Sequence, residues 1–249
     1  MAERSRRRRR RGNGALSVAI IIAFMLLAAI VGLSVFFKIS SISVEGAGIY
    51  TADDVVAASG IEVGDSIFFV GQSTAALRIK NALPYVDEVR VQRRLPDTVV
   101  IEVTESYPIA YIRSGDDVWI IDKNAKLLEK AGESGAAGKI EVRGVVPIEP
   151  TVGGALALGD ANALQLTYLK SVLSAFLTDG LRDGVTWLDM TSISDIRFDY
   201  QGRFTVKLGN GENLSDKLWM MGKVIADRQD SDQGTVDVSV ENEGHFIPG

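Results

Sequence analysis

The side chains of this chain that could do chemistry are one histidine and a few acidic pairs. Paired carboxylates serve as acid-base catalysts or calcium ligands, and histidine serves as a general base or a metal ligand. His245 has no second imidazole or thiol to complete a zinc site or a catalytic triad, because the chain has one His and no Cys. No calcium loop with a central Gly and a final Glu surrounds the acidic pairs, so capping and solvation explain them better. Those pairs are Asp53 with Asp54, Asp116 with Asp117, and Asp230 with Asp232.

Sequence motifs of catalysis are also missing. The chain contains no Ser-x-x-Lys and no Gly-x-Ser-x-Gly. Residues 132–139 have glycines and a lysine, but no Ser or Thr follows Lys139 as a phosphate loop requires. We therefore expect no catalytic residues, no metal or cofactor site, and no small-molecule substrate.

The charge of the chain is divided between its two ends. Residues 1–14 hold seven arginines, whereas the rest holds 20 basic against 31 acidic residues, a formal charge of −11. An acidic domain is a poor partner for nucleic acid, so we expect none.

Residues 15–37 form one uncharged apolar stretch, preceded by Arg4 and an unbroken arginine run at 6–11. A helix rising about 1.5 Å per residue needs about 20 apolar residues to cross a hydrocarbon core of about 30 Å. These 23 residues predict a single transmembrane signal anchor, because the apolar core of a cleaved signal peptide is shorter. The positive-inside rule places residues 1–14 in the cytoplasm, as a basic tail. All residues after the anchor are then expected to lie outside the cytoplasm.

The next residues predict a small domain that begins with a strand and a capped helix. Alternation over residues 39–45 is typical of a half-buried strand. Thr51 and Asp54 have the spacing of a capping box, and Gly60 ends the short helix that this box opens.

A second helix and a hairpin complete this domain, in the order strand, helix, helix, strand, strand. The helix begins at Ser73 or Thr74, ends before Pro84, and has three inward side chains, those of Leu77, Ile79 and Leu83. The strands at 86–93 and 98–104 join through a Pro-Asp turn. In the second strand three side chains face the core and Val100 faces the other way; the three are Val99, Ile101 and Val103.

Residues 109–240 predict a second α+β domain with a mainly antiparallel sheet. Its segments are an amphipathic helix from Asp160 to Gly180 with Leu164 inward, an antiparallel meander over 185–208, a helix from Leu214 to about Asp227, and a last strand at 235–240. Residues 241–249 are a tail. Five aromatic residues are expected in the core or at an interface, with the core favoured: Phe68, Phe69, Trp119, Trp187 and Trp219.

These motifs resemble a known family. The anchor and four segments after it are similar to the signal anchor and POTRA domain of FtsQ/DivIB division proteins. The four segments are Ser41-Ile42-Ser43-Val44-Glu45-Gly46, the Leu-Pro-Tyr-Val of residues 83–86, the turn at 94–98 and the stretch 101–108. The resemblance covers residues 39–108 as the POTRA domain and continues over 109–240 as the FtsQ/DivIB-type β domain. Of the aspartate, arginine and tyrosine usual in the family's final strand, only the aspartate is kept, as Asp237.

The resemblance implies a non-enzymatic scaffold of the bacterial division machinery in the inner membrane at the septum. Its implied partners are division proteins of the FtsB/DivIC and FtsL types, the first pairing as a strand with the carboxy-terminal sheet edge. The edge residues expected to bind the partner are Val236, Val238, Val240 and Asn242. Two alternatives stay open: a membrane-anchored wall hydrolase with a POTRA-like spacer, and an outer-membrane assembly component, for which the chain has too few amphipathic strands.

Overall fold

Residues 13–159 and 162–249 are described by a computed structural model, which shows an α+β protein. The chain divides into two compact units. The first contains the chain up to Arg78 together with Arg90–Glu102, and the second contains Ile79–Val89 together with Val103–Gly249. Asp160, the predicted helix cap, lies outside the described residues.

The first helix, α1, runs over Asn13–Phe36, and its described side chains, such as those of Val18 and Phe24, are exposed. Among the residues that the structure describes, no helix is both long enough and apolar enough to cross a membrane. The transmembrane span at residues 15–37 stays a prediction.

Strand β1 (Ser41–Glu45) leads to helix α2 (Ala52–Ser59), whose two ends are capped as the sequence predicts. The Thr51 hydroxyl accepts the Asp54 N–H at 3.1 Å, and the Asp54 carboxylate accepts the Thr51 N–H at 3.0 Å. At the other end Gly60 has the left-handed conformation (φ +66°) that commonly ends a helix. The capping box and its position are confirmed.

Helix α3 (Gln72–Ala82) and strands β2 (Val86–Arg94) and β3 (Thr98–Glu105) follow. The three strands form one sheet in the order β1-β3-β2, and β1 runs parallel to β3. The predicted order of strand, helix, helix, strand, strand is confirmed.

Two side chains of this region differ from the prediction. Leu77 is exposed, because Ala75 and Ile79 form the buried line of α3 and a residue two positions from each lies on the opposite side. Val100 is buried although it lies on the face of β3 opposite to Val99 and Ile101, so both faces of this strand are covered at that position.

A nine-stranded sheet forms the second unit, in the order β12-β11-β10-β9-β8-β7-β4-β5-β6. Its strands are β4 (Ala110–Ser114), β5 (Asp117–Ile121), β6 (Leu127–Ala131), β7 (Ile140–Arg143), β8 (Trp187–Asp189), β9 (Ile196–Tyr200), β10 (Phe204–Gly209), β11 (Gly234–Asp237) and β12 (His245–Pro248). Helix α4 (Ala163–Thr178) connects β7 to β8, and helix α5 (Leu214–Ala226) connects β10 to β11.

The sheet is mixed, where the sequence predicts a mainly antiparallel one. The pairs β4–β7, β7–β8 and β10–β11 are parallel, and the predicted meander β8–β9–β10 is antiparallel. Parallel neighbours need a crossover connection, which α4 and α5 supply for two of these pairs.

The core of the second unit lies between the sheet and the helices α4 and α5, whose apolar side chains join those of the strands in one buried cluster. The rings of Phe176 in α4 and Phe198 in β9 meet edge to face at 4.9 Å between centroids. Leu164, predicted to face inward, is exposed in the first turn of α4. The contacts of α4 with the buried cluster are made further along the helix, by residues such as Leu169 and Val172.

The last strand corrects the predicted chain end. Residues 241–249 are predicted as a tail, but β12 within them pairs antiparallel with β11. A strand of four residues that contains a proline has little alternation to detect, so periodicity alone does not show it.

Candidate partner-binding interface

Strand β12 is one edge of the nine-stranded sheet, and among the described residues it pairs only with β11. In the register of this pair, Val236 lies opposite Phe246 and Asp237 lies opposite His245. An edge strand has backbone groups on one side with no strand to pair with, so a second chain can add to it.

The hydrogen bonds of the β11–β12 pair show which groups of β12 face outward. The Gly249 N–H donates to the Gln233 C=O at 3.0 Å, so the backbone groups of Gly249 face β11. Along a strand of an antiparallel pair, residues whose backbone groups face the partner strand alternate with residues whose backbone groups face away from it. Ile247 therefore directs its backbone groups toward β11, whereas Phe246 and Pro248 direct theirs to the free side. Proline has no N–H, so β12 offers the N–H and C=O of Phe246 and the C=O of Pro248.

The side chains of β12 alternate between core and solvent. Phe246 packs against the buried cluster, with its ring 6.1 Å from that of Phe204 and the Arg228 guanidinium 5.0 Å from its centroid. Ile247 points to the other face and is 53% exposed. An added strand would thus find an apolar side chain available beside the outward backbone groups.

The structure places the residues predicted for this edge in two different situations. Val236 and Val238 are fully buried; Val236 pairs with Val206 of β10 and with Phe246, and the Val238 N–H donates to the Lys207 C=O at 3.0 Å. These two residues therefore lie inside the sheet, because β12 covers the side of β11 that was predicted to be free.

The other two predicted residues lie in the turn between β11 and β12. Val240 is 55% exposed, and Asn242 is exposed with a positive φ of 60°. The turn is closed by the Glu243 N–H, which donates to the Val240 C=O at 3.3 Å. That any of the four residues binds a partner stays a prediction.

Asp237 orders the backbone that leads from β11 into this turn. Its carboxylate accepts the Ser239 N–H at 3.0 Å and the Ser239 hydroxyl at 2.6 Å, and the Lys207 ammonium lies 3.2 Å away. Partial burial alone would raise the pKa of Asp237, but the bonds from Ser239 and Lys207 outweigh it and hold the pKa below its ordinary value. Asp237 is therefore ionised and bound at neutral pH.

Strand β6 is the other edge of the sheet, and its beginning is already paired. The Leu127 N–H donates to the Gly154 C=O at 2.8 Å, and the Gly153 N–H donates to the Leu127 C=O at 2.7 Å. Further along β6, Lys130 makes an ion pair with Asp117 at 2.8 Å. A short edge with charged side chains is typical of edges that natural proteins protect from pairing.

Three of the aromatic residues for which the core was favoured are exposed, namely Phe68, Phe69 and Trp219, whereas Trp119 is buried. Trp219 lies on α5 beside a depression of about 510 Å³ that Leu181 and Ile225 also line, and the Lys223 ammonium lies 3.6 Å from its ring centroid. Helical periodicity does not explain why an aromatic side chain as large as that of Trp219 is exposed.

The part of the chain that the structure describes has no group of three or more His, Asp or Glu side chains that could hold a metal ion. His245 Nε2 lies 3.3 Å from a Glu243 carboxylate oxygen, which gives the histidine a surface contact two residues away.

Comparison with known proteins accounts for most of the chain. Residues 37–106 match the family described as POTRA domain, FtsQ-type. The cell division protein FtsQ of Corynebacterium glutamicum is 34% identical over 215 residues, which cover 84% of this chain and 90% of that protein. The chain belongs to the FtsQ/DivIB family of cell division proteins.

Further FtsQ/DivIB relatives agree with this membership. The cell division protein DivIB of Clostridium botulinum is 29% identical over 214 residues, covering 85% of this chain and 82% of that protein. The cell division protein FtsQ of Streptomyces coelicolor is 25% identical over 179 residues, which cover 70% of this chain and 65% of that protein. The resemblance that the sequence predicts is confirmed, and the names of the relatives support a role in cell division.

Proposed function

We propose that this protein is a non-enzymatic, single-span membrane scaffold of the bacterial division machinery, which binds other division proteins outside the inner membrane. Its partner is a protein of the FtsB/DivIC type, which adds a strand to β12, within a complex that includes an FtsL-type protein. The observation that carries this proposal is the free side of β12, where the backbone groups of Phe246 and the C=O of Pro248 face outward.

The membrane part of the proposal rests on the sequence. Residues 15–37 have the length and the apolar composition of a spanning helix, and the arginines before them favour a cytoplasmic amino terminus. The rest of the first unit, after residue 37, and the whole second unit then lie outside the inner membrane, at the septum, where the extracytoplasmic parts of other division proteins are accessible.

Strand addition assigns different roles to the predicted edge residues. Val240 and Asn242, exposed just before β12, lie where an added strand would pass and contact it directly. Val236 and Val238 act from the core, since they hold β11 and thereby the strand that presents the free edge.

The test compares Phe246→Pro with Phe246→Ala in the full-length chain reconstituted in lipid nanodiscs. Both variants lose the ring, but only the proline removes the outward N–H and places its own ring in the path of an added strand. We expect Phe246→Pro to bind the extracytoplasmic segment of an FtsB/DivIC-type protein about tenfold or more weakly than Phe246→Ala, as one lost backbone hydrogen bond and a steric obstacle require.

The comparison requires that both variants unfold at the same thermal midpoint. Val146→Ala serves as a neutral control, because Val146 is an exposed apolar residue elsewhere in the second unit. Equal affinities of the two Phe246 variants would refute strand addition at β12. Because the chain contains no cysteine, single cysteines at His245 and Ile247 can also report the register of the partner strand by disulfide cross-linking.

A further inference from the structure

Two exposed aromatic side chains of the first unit lie in a short 3-10 helix, Ile67–Phe69. Ile67 is fully buried and attaches this segment to the unit, whereas Phe68 is 51% and Phe69 88% exposed. A rigidly attached segment that directs two adjacent phenylalanine rings outward forms an apolar surface, and such surfaces mark contacts with a protein or a membrane.

This segment is attached to the chain where α1 ends. The Ile67 N–H donates to the Phe37 C=O at 3.0 Å, and Lys38 forms a backbone bridge with Ser66. The ring of Phe37 lies 5.0 Å from that of Phe68 and 5.5 Å from that of Phe36. The rings of Phe36, Phe37 and Phe68 therefore form one aromatic patch at the carboxyl end of α1, and we count with it the exposed Phe69, which follows Phe68 in the same 3-10 helix.

Three basic residues lie close to the aromatic patch, although the chain outside residues 1–14 is strongly acidic. Lys38 comes two residues after the end of α1, and the Arg93 guanidinium donates to the Val70 C=O at 2.5 Å, immediately after the 3-10 helix. Arg78 lines a depression of about 510 Å³ together with Phe69, and Asp65 is the acidic residue in that lining. Apolar rings with cationic groups beside them match the interface of a bilayer that contains anionic lipids.

We infer that the aromatic patch inserts into the headgroup region of the extracytoplasmic leaflet and holds the first unit against the membrane surface. The inference rests on the proposed function, because it takes α1 as the membrane anchor. A spanning helix that ends at Phe36 brings the patch to the membrane–water interface, where phenylalanine side chains of peripheral segments bury their rings, and the 3-10 helix adds two further rings.

The test uses single-cysteine variants of the full-length chain, which has no cysteine of its own. Phe69→Cys, labelled with bimane, reports the patch, and Phe24→Cys in α1 reports the anchor. Ile49→Cys is the matched control: Ile49 is an exposed apolar residue of the same unit, beyond the far end of β1, which carries the chain roughly 15 Å from its start. The vesicles contain phosphatidylglycerol and brominated phosphatidylcholine, whose bromine atoms quench bimane on contact.

We expect the brominated lipid to quench the label strongly at Phe24, by about half at Phe69, and by less than a tenth at Ile49. Strong quenching at Phe24 with equal, weak quenching at Phe69 and Ile49 would overturn the inference and leave the anchor intact. Absence of quenching at Phe24 would refute the proposed anchor, and the inference with it. Phe69 is almost fully exposed, so its replacement removes little packing and does not threaten the fold.

Discussion

Asp122 is a buried carboxylate at the start of the turn between β5 and β6, and its replacement tests how that turn is held. Its Oδ1 atom accepts the N–H groups of Asn124 at 2.9 Å and Lys126 at 2.8 Å, and its Oδ2 atom accepts the Ser106 hydroxyl at 3.1 Å. Asp122→Ala leaves all three donors without a partner. Asp122→Asn keeps an oxygen for the two N–H groups and places an amide opposite Ser106, whose hydroxyl can accept instead.

The expected cost follows from these contacts. A buried donor left without a partner costs about 1–3 kcal/mol, and neighbouring losses do not add fully because the loop can relax. We therefore expect Asp122→Ala to lower the free energy of unfolding of the second unit by about 3 kcal/mol, and Asp122→Asn by about 1 kcal/mol.

Urea denaturation of the full-length chain in detergent measures both values, with tryptophan fluorescence as the signal, because all three tryptophans lie in the second unit. The reasoning is refuted if Asp122→Ala unfolds within about 0.5 kcal/mol of the wild type, or if Asn is as damaging as Ala, since the number of satisfied donors would then not decide stability.

The remaining predictions concern one carboxylate and two glycines. Because the pKa of Asp237 is lowered in the folded state, its stabilisation is complete above the unfolded-state pKa of about 4 and is lost as the pH falls through the folded-state pKa. The gap in unfolding free energy between wild type and Asp237→Asn should therefore shrink from about pH 7 to about pH 3, and a constant gap would contradict it. Gly144→Ala should lower the free energy of unfolding by about 2–4 kcal/mol, because φ is +75° and the added Cβ would lie 2.4 Å from the Thr191 Cα. Gly180→Ala, with φ +68° and no atom within 4 Å of the added Cβ, should lower it by about 1–2 kcal/mol. The same urea titration measures both variants.

Local signals in the sequence predicted several elements with their positions. The Thr51 and Asp54 capping box, the order of elements along residues 39–108 and the β8–β10 meander depend on residues close together in the chain, which adopt the same arrangement wherever the element packs. Family membership was equally accessible, since it depends on motifs distributed along the chain.

Side-chain burial was predicted less well, because periodicity identifies two faces but not what covers them. Leu77 and Leu164 have helical spacing and are exposed, whereas Val100 was predicted on the open face and is buried between two strands. Phe69 lies in an apolar run and yet is the most exposed of the large apolar residues that the structure describes.

The sequence by itself determined most of the elements, the absence of recognisable catalytic motifs and the candidate membrane anchor, because each depends on composition or on near neighbours. Only the tertiary structure decided which strand is the edge of the large sheet. Helix α5 returns the chain so that β11 lies parallel to β10, and β12 then covers the far side of β11. Val236 and Val238 are therefore internal, and the outward groups belong to Phe246 and Pro248, because the pairing of strands distant in sequence is set by packing over the whole sheet.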